Sequence, residues 1–157
     1  MIISNLSSPT ILPEYQILLQ GLEDELTAQF ADLKPVQSAN DVEAFEVAVQ
    51  DICRKFADQI AAVKIQASIE SDALQAEVRD LIKLQPFKMR NQGIRRVNIR
   101  FSEGSVLEVC VPYYARKTST KRRNKGMYPA LLLLGIYDRC TPLLASEISR
   151  ASASLTL

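Results

Sequence analysis

The 157-residue sequence contains no histidine and no tryptophan. Without imidazole there is no Ser-His-Asp or Cys-His nucleophile arrangement, and no zinc site built on histidine. Cysteine is scarce, and Cys53, Cys110 and Cys140 stand far apart with no Cys-x-x-Cys pair. Zinc ribbons and thioredoxin-like redox motifs are therefore unsupported, and an odd, widely spaced set does not suit a secreted disulfide framework. The three thiols are expected to be reduced and partly buried in a cytoplasmic protein. The five glycines form no G-x-G-x-x-G and no phosphate-binding P-loop. Long hydrophobic runs are missing too. The first twelve residues have neither the basic region nor the unbroken apolar stretch of an export signal. The longest strongly apolar run, Ala130 to Tyr137, is far short of the ~20 residues of a membrane span.

What is present is an ordinary globular composition, 47% apolar and 24% charged, enough for a core without disulfide or metal staples. The net charge of +1 hides a division. Residues 1–85 carry 6 basic and 14 acidic residues, whereas residues 86–157 carry 13 basic and 4 acidic residues. Such segregation suits a polyanionic partner for the basic half. We take 1–85 as an acidic helical region and 86–157 as a basic region of strands and helices.

The acidic half has helical periodicity. Pro13 suits a first helical position, and Tyr15, Leu18, Leu19, Leu22, Leu26, Phe30 and Leu33 mark one stripe that Pro35 ends. Capping residues at Ser38 to Asp41 precede a second stripe of Val42, Phe45, Val49, Ile52, Phe56, Ile60, Val63 and Ala67. Its steps of three and four approach a coiled-coil seam. The stripes therefore predict either an intramolecular helical hairpin or a short coiled coil that makes a homodimer through residues 41–67. Leu74, Val78, Leu81 and Ile82 continue the helical pattern to Pro86, and the polar cluster Ser68 to Asp72 offers a break with Ser71 as cap.

After Gly93 the period changes to two. Val97, Ile99 and Phe101 alternate with polar residues, Ser102-Glu103-Gly104 supplies a turn, and Leu107, Val109, Val111 and Tyr113 resume the alternation. An antiparallel hairpin with one apolar face follows, fraying or lying at an edge where Pro112 cannot donate. Pro129 and Thr141-Pro142 open two C-terminal helices, the second with an expected buried face of Leu144, Ile148, Ala151 and Leu155. The predicted class is α+β: an acidic helical part, a β-hairpin, a basic loop and two C-terminal helices.

The basic loop carries the clearest functional signal. Arg116, Lys117, Lys121, Arg122, Arg123 and Lys125 lie within ten residues that contain no acid. Clustered cations neutralise phosphates and release counterions, so the run suits DNA. Tyr113, Tyr114 and Tyr128 bracket it and could stack on bases. Arg95, Arg96 and Arg100 are expected to add charge on the polar face of the first strand.

Catalytic groups are wanting by comparison. In the basic half Glu103 falls in a turn, Glu108 on an exposed strand face, and Asp138 beside Arg139, where a local ion pair or helix cap accounts for it. Glu23-Asp24-Glu25 lies on a polar helix face, and Cys140 lacks a base. No catalytic residue, metal site or cofactor is assigned.

The segment from Arg95 to Leu157 resembles the N-terminal region of bacterial, especially cyanobacterial, insertion-sequence transposases. The resemblance rests on a hairpin ending in Pro112-Tyr113-Tyr114, the basic stretch, and the pattern Leu134, Gly135, Ile136, Arg139, Thr141 and Pro142. Residues 14–85 would correspond to the variable leader of those proteins. Such transposases cleave and join DNA through a DDE carboxylate triad that holds two divalent metals in a downstream domain. No residue here matches that triad. The resemblance thus implies a truncated transposase-like protein whose activity is at most non-catalytic DNA binding. The alternative is a non-enzymatic helical interaction protein.

Overall fold

The structure is a computed structural model that describes residues 13–31, 37–116 and 126–155. It is α+β, with two compact units, Met1–Val63 and Lys64–Leu157. In the first unit, α1 (Pro13–Ala31) begins on a proline whose fixed φ and missing N–H suit a first helical turn. Leu18, Leu22 and Leu26 are half-buried, while Ile17 is 73% exposed. The expected stop at Pro35, Leu33, and the side chains of Tyr15 and Phe30 lie outside the described residues.

α2 (Ala39–Glu70) starts where its capping residues place it. The Asp41 N–H donates to Ser38 Oγ (3.3 Å), and the Ser38 hydroxyl donates back to Asp41 Oδ2 (2.7 Å). The Gln37 N–H also donates to that carboxylate (3.2 Å). The Ser38 hydroxyl, seconded by this N–H, holds Asp41 below the usual Asp value of 3.8. Along the seam Ile52 is buried and Phe45, Val49 and Phe56 are half-buried. Val42 and Ile60, towards the ends, are exposed at 42% and 37%.

Residues 41–84 form two helices. α3 (Asp72–Lys83) is separated from α2 by Ser71, whose extended backbone breaks the turn and whose side chain accepts from the Leu74 N–H. The Gln75 side chain donates to the Ile69 carbonyl (2.6 Å), satisfying an acceptor at the end of α2. Packing therefore divides the chain at 63/64, inside α2, rather than at the charge boundary of 85/86. Ile69 and Val78, on acidic helices, are buried and belong to the second unit, in which α3 packs on α4.

The core of the second unit lies on one face of a three-stranded antiparallel sheet of order β1-β2-β3. β1 (Met89–Arg100) pairs with β2 (Val106–Arg116), and Val97 faces Val109 directly. The connecting turn has Phe101 N–H donating to Ser105 O and Gly104 N–H to Phe101 O, with Gly104 at φ +96°. That is a type I turn closed by a left-handed residue, which suits glycine. Val97, Ile99, Val109, Val111 and Ala115 are buried on the core face. Each Val or Ile is worth ~1.5–3 kcal/mol of hydrophobic stabilisation. α4 (Pro129–Leu133), with Pro129, Ala130 and Leu131 buried, packs on β2 and on α3.

Four expectations are corrected. β1 begins at Met89, not after Gly93; Gln92 and Gly93 form a bulge opposite Tyr113, and Gly93 supplies the φ of +93°. Of the two alternatives at Pro112, fraying is corrected, because β2 continues to Arg116 and pairs with β3 (Gly126–Met127); the edge is borne out, because β3 pairs only with Tyr114 and Ala115. Cys110, two residues earlier, turns its N–H and C=O away from β1. The proline's missing N–H falls on that outward side and costs the β1–β2 ladder nothing. α5 (Pro142–Leu155) does not bury its stripe: Leu144 is half-buried, Ile148 is 52% exposed and Ala151 is exposed, because no described element covers it. Finally, Cys53 and Cys110 are exposed free thiols, and only Cys140 is partly buried. Among the described residues no helix is long and apolar enough to cross a membrane.

Candidate nucleic-acid interface

The basic run leaves the sheet at the end of β2 and re-enters it at β3. Tyr114 pairs with Met127 and Ala115 with Gly126, so both ends of the run are tied to the same short ladder. Arg116 is the one cation of the six among the described residues; it is exposed, and its guanidinium lies 5.1 Å from the centre of the Phe87 ring. Lys117, Lys121, Arg122, Arg123 and Lys125 lie outside the described residues.

Two of the bracketing tyrosines are already engaged. The Arg95 guanidinium sits 3.7 Å from the centre of the Tyr113 ring, and the Tyr113 and Tyr128 rings are 5.0 Å apart and tilted. A cation held against an aromatic face is favourable. The Tyr113 ring also occupies the space where a side chain on Gly126 would go. Glycine there lets the returning strand pass the ring. Tyr114 is half-buried as well. The Tyr113 and Tyr128 rings are thus packing groups beside the run, which corrects the expectation, for those two, of rings that stack on bases.

Arg95 is corrected too. It pairs with Val111, in register with Val97 and Ile99, so it belongs to the core face and covers its edge over Tyr113. Arg96 and Arg100 do lie on the exposed face, where Arg96 forms a 3.5 Å ion pair with Glu108 across the strands. The pair is largely exposed and contributes little to stability, ~0–1 kcal/mol. Sequence alternation alone would have separated Arg95 from Arg96 and Arg100.

Asp138 and Arg139 make neither an ion pair nor a helix cap. They are the central residues of a tight turn in which the Cys140 N–H donates to Tyr137 O (2.8 Å). Both have positive φ, +48° and +63°, as a type I′ turn requires. Two consecutive non-glycine residues in that region cost roughly 1–2 kcal/mol each. The turn delivers Arg139 O and Thr141 N to the edge of β1 at Arg100. Beside it lies an open hollow of about 430 Å³, lined by Val97, Tyr128, Leu131, Leu132, Ile136 and Arg139 among others. Sequence reading missed it, since it forms only where the segment 126–139 folds against Val97 of β1.

A Gln66 amide also serves the sheet. It accepts from the Cys110 N–H (2.8 Å) and donates to the Cys110 carbonyl (3.3 Å), as a neighbouring peptide group would. β3 reaches only Tyr114 and Ala115, so Gln66 substitutes for a strand further along β2. Among the described residues no group of three or more His, Cys, Asp or Glu side chains could hold a metal. Comparison of the chain with known protein families, with curated proteins and with solved structures finds no match.

Proposed function

We propose that this protein binds duplex DNA without catalysing a reaction on it, as the DNA-binding region of a transposase-like protein, in the cytoplasm. The observation that carries the reading is the run Arg116 to Lys125, six cations and no acid within ten residues. Its support comes from the residues that flank the run, Ala115 and Gly126, which pair with each other in the sheet. Arg96 and Arg100, on the exposed face of the hairpin, extend the positive surface. Phosphate neutralisation is sequence-independent, so the reading concerns affinity rather than a recognised site.

The test is binding of a random-sequence duplex measured across salt concentrations. Lys121→Ala, Arg122→Ala and Arg123→Ala together should weaken binding and reduce the log–log salt slope by roughly 3. Absence of binding at low salt, or a slope unchanged by the triple substitution, overturns the reading.

A further inference from the structure

β1 is an outer strand of the sheet, and only its last residue is paired on the outer side. There the Arg100 N–H donates to Arg139 O (2.7 Å), and the Arg100 carbonyl accepts from the Thr141 N–H (3.1 Å). A strand repeats every two residues, so Asn98, Arg96 and Ile94 turn their N–H and C=O groups to that same side. The partner strand agrees. Cys110, opposite Arg96, directs its own peptide groups away from β1 to Gln66, which marks a pair that exchanges no hydrogen bond. Among the described residues nothing pairs with this outward row, and Ile94 is 71% exposed. The row has defined ends. The bulge at Gln92 and Gly93 closes one, and the segment 139–141 closes the other.

The surroundings specify what would fit. Val97 from β1, and Arg139 from the segment that caps its edge, both line the hollow of about 430 Å³. Leu131, Leu132 and Ile136 make its wall apolar. Arg95, Arg96, Arg100 and Arg139 stand around the row; the acids on the same segments are Asp138, Glu103 in the hairpin turn, and Glu108, which is paired with Arg96. A guest therefore needs alternating backbone donors and acceptors, carboxylates and an apolar side chain.

We propose that the Ile94–Asn98 edge takes an extended acidic peptide as an added strand, with one apolar side chain seated in the hollow. Strand addition of this kind draws affinity from main-chain hydrogen bonds and selectivity from alternate side chains. Nucleic acid fits less well, because a phosphate backbone offers no N–H row at the two-residue repeat. A second copy of β1 fits less well too, because it would bring arginines against arginines, and like charges across strands repel.

The experiment uses the full chain and a fluorescein-labelled peptide, Glu-Val-Glu-Leu-Glu-Val-Glu-Val, at physiological salt. Controls are the same peptide with lysine for glutamate, and two forms N-methylated on opposite alternating sets of residues. The glutamate peptide should bind and the lysine peptide should not. Methylation of one set should weaken binding by about tenfold or more, and the other set should have little effect, since one edge of the guest pairs with β1. Asn98→Pro should weaken binding similarly, because it removes an outward N–H that the β1–β2 ladder does not use. On the unaltered chain, saturating peptide should slow amide exchange at Ile94, Arg96 and Asn98. Equal effects of the two methylated sets, equal binding of the lysine peptide, or unchanged exchange at those amides would overturn the proposal. So would protection of the same amides by duplex DNA, or by self-association of the chain, in place of the peptide.

Discussion

The two units solve the problem of order differently. Residues 1–63 carry helices whose features are local: a proline start, a serine–aspartate cap, and a stripe at steps of three and four. Residues 64–157 depend on pairings between distant stretches. Val97 meets Val109, Arg100 meets the segment 139–141, and Gln66 reaches Cys110 from forty-four positions away. A local unit is perturbed where it is changed. A unit closed by distant contacts transmits a change throughout, because each contact already overcomes the entropy of closing a loop.

The largest expected effect is therefore in the sheet core. Ile99 is fully buried, and Ile99→Ala should destabilise the second unit by ~2–5 kcal/mol. Denaturant unfolding followed by amide exchange should show early loss of protection across 89–116 while protection near the start of α2 persists. Simultaneous loss in both would erase the distinction between the units. Next is Gly126→Ala, which must displace the Tyr113 ring. Overpacking of this kind costs ~1–3 kcal/mol, read as a lower Tm together with loss of the Arg95–Tyr113 contact in the proton spectrum.

Ser71→Ala removes the cap of α3 and should cost ~0.5–2 kcal/mol. The effect should reach α4, because α3 buries Val78 and packs on α4. The smallest effect belongs to the first unit. Asp41 is held below its ordinary 3.8, so its contribution is present above that value and is lost as pH falls through the lowered value. Helicity at the start of α2 should decline below about pH 4, and Asp41→Asn should flatten that dependence. A loss that starts at neutral pH would assign it to another group.

Much of the fold is legible before any coordinates. The prolines at 13, 129 and 142, the caps at Ser38 and Ser71, and the two-residue alternation around Ser102-Glu103-Gly104 all mark elements that form. The site is less legible. The cation run is plain as composition, but alternation carries Arg95 onto the core face, and Tyr113 and Tyr128 prove to be packing groups. Nothing near Asp138-Arg139 in sequence announces a left-handed pair, since that turn usually calls for asparagine and glycine.

Element type, helix starts and the opposite charge of the two halves were settled by residues within one turn or one pleat of each other. Those interactions operate in any context, so the chain states them directly. Which faces are covered was settled only by folding. The open edge of β1, the bare stripe of α5, the outward-facing Pro112 and the hollow beside Val97 each depend on which distant segment arrives, and on which side. An amphipathic stripe records that a face prefers burial. The partner that buries it, or leaves it bare, is chosen by packing among residues far apart along the chain.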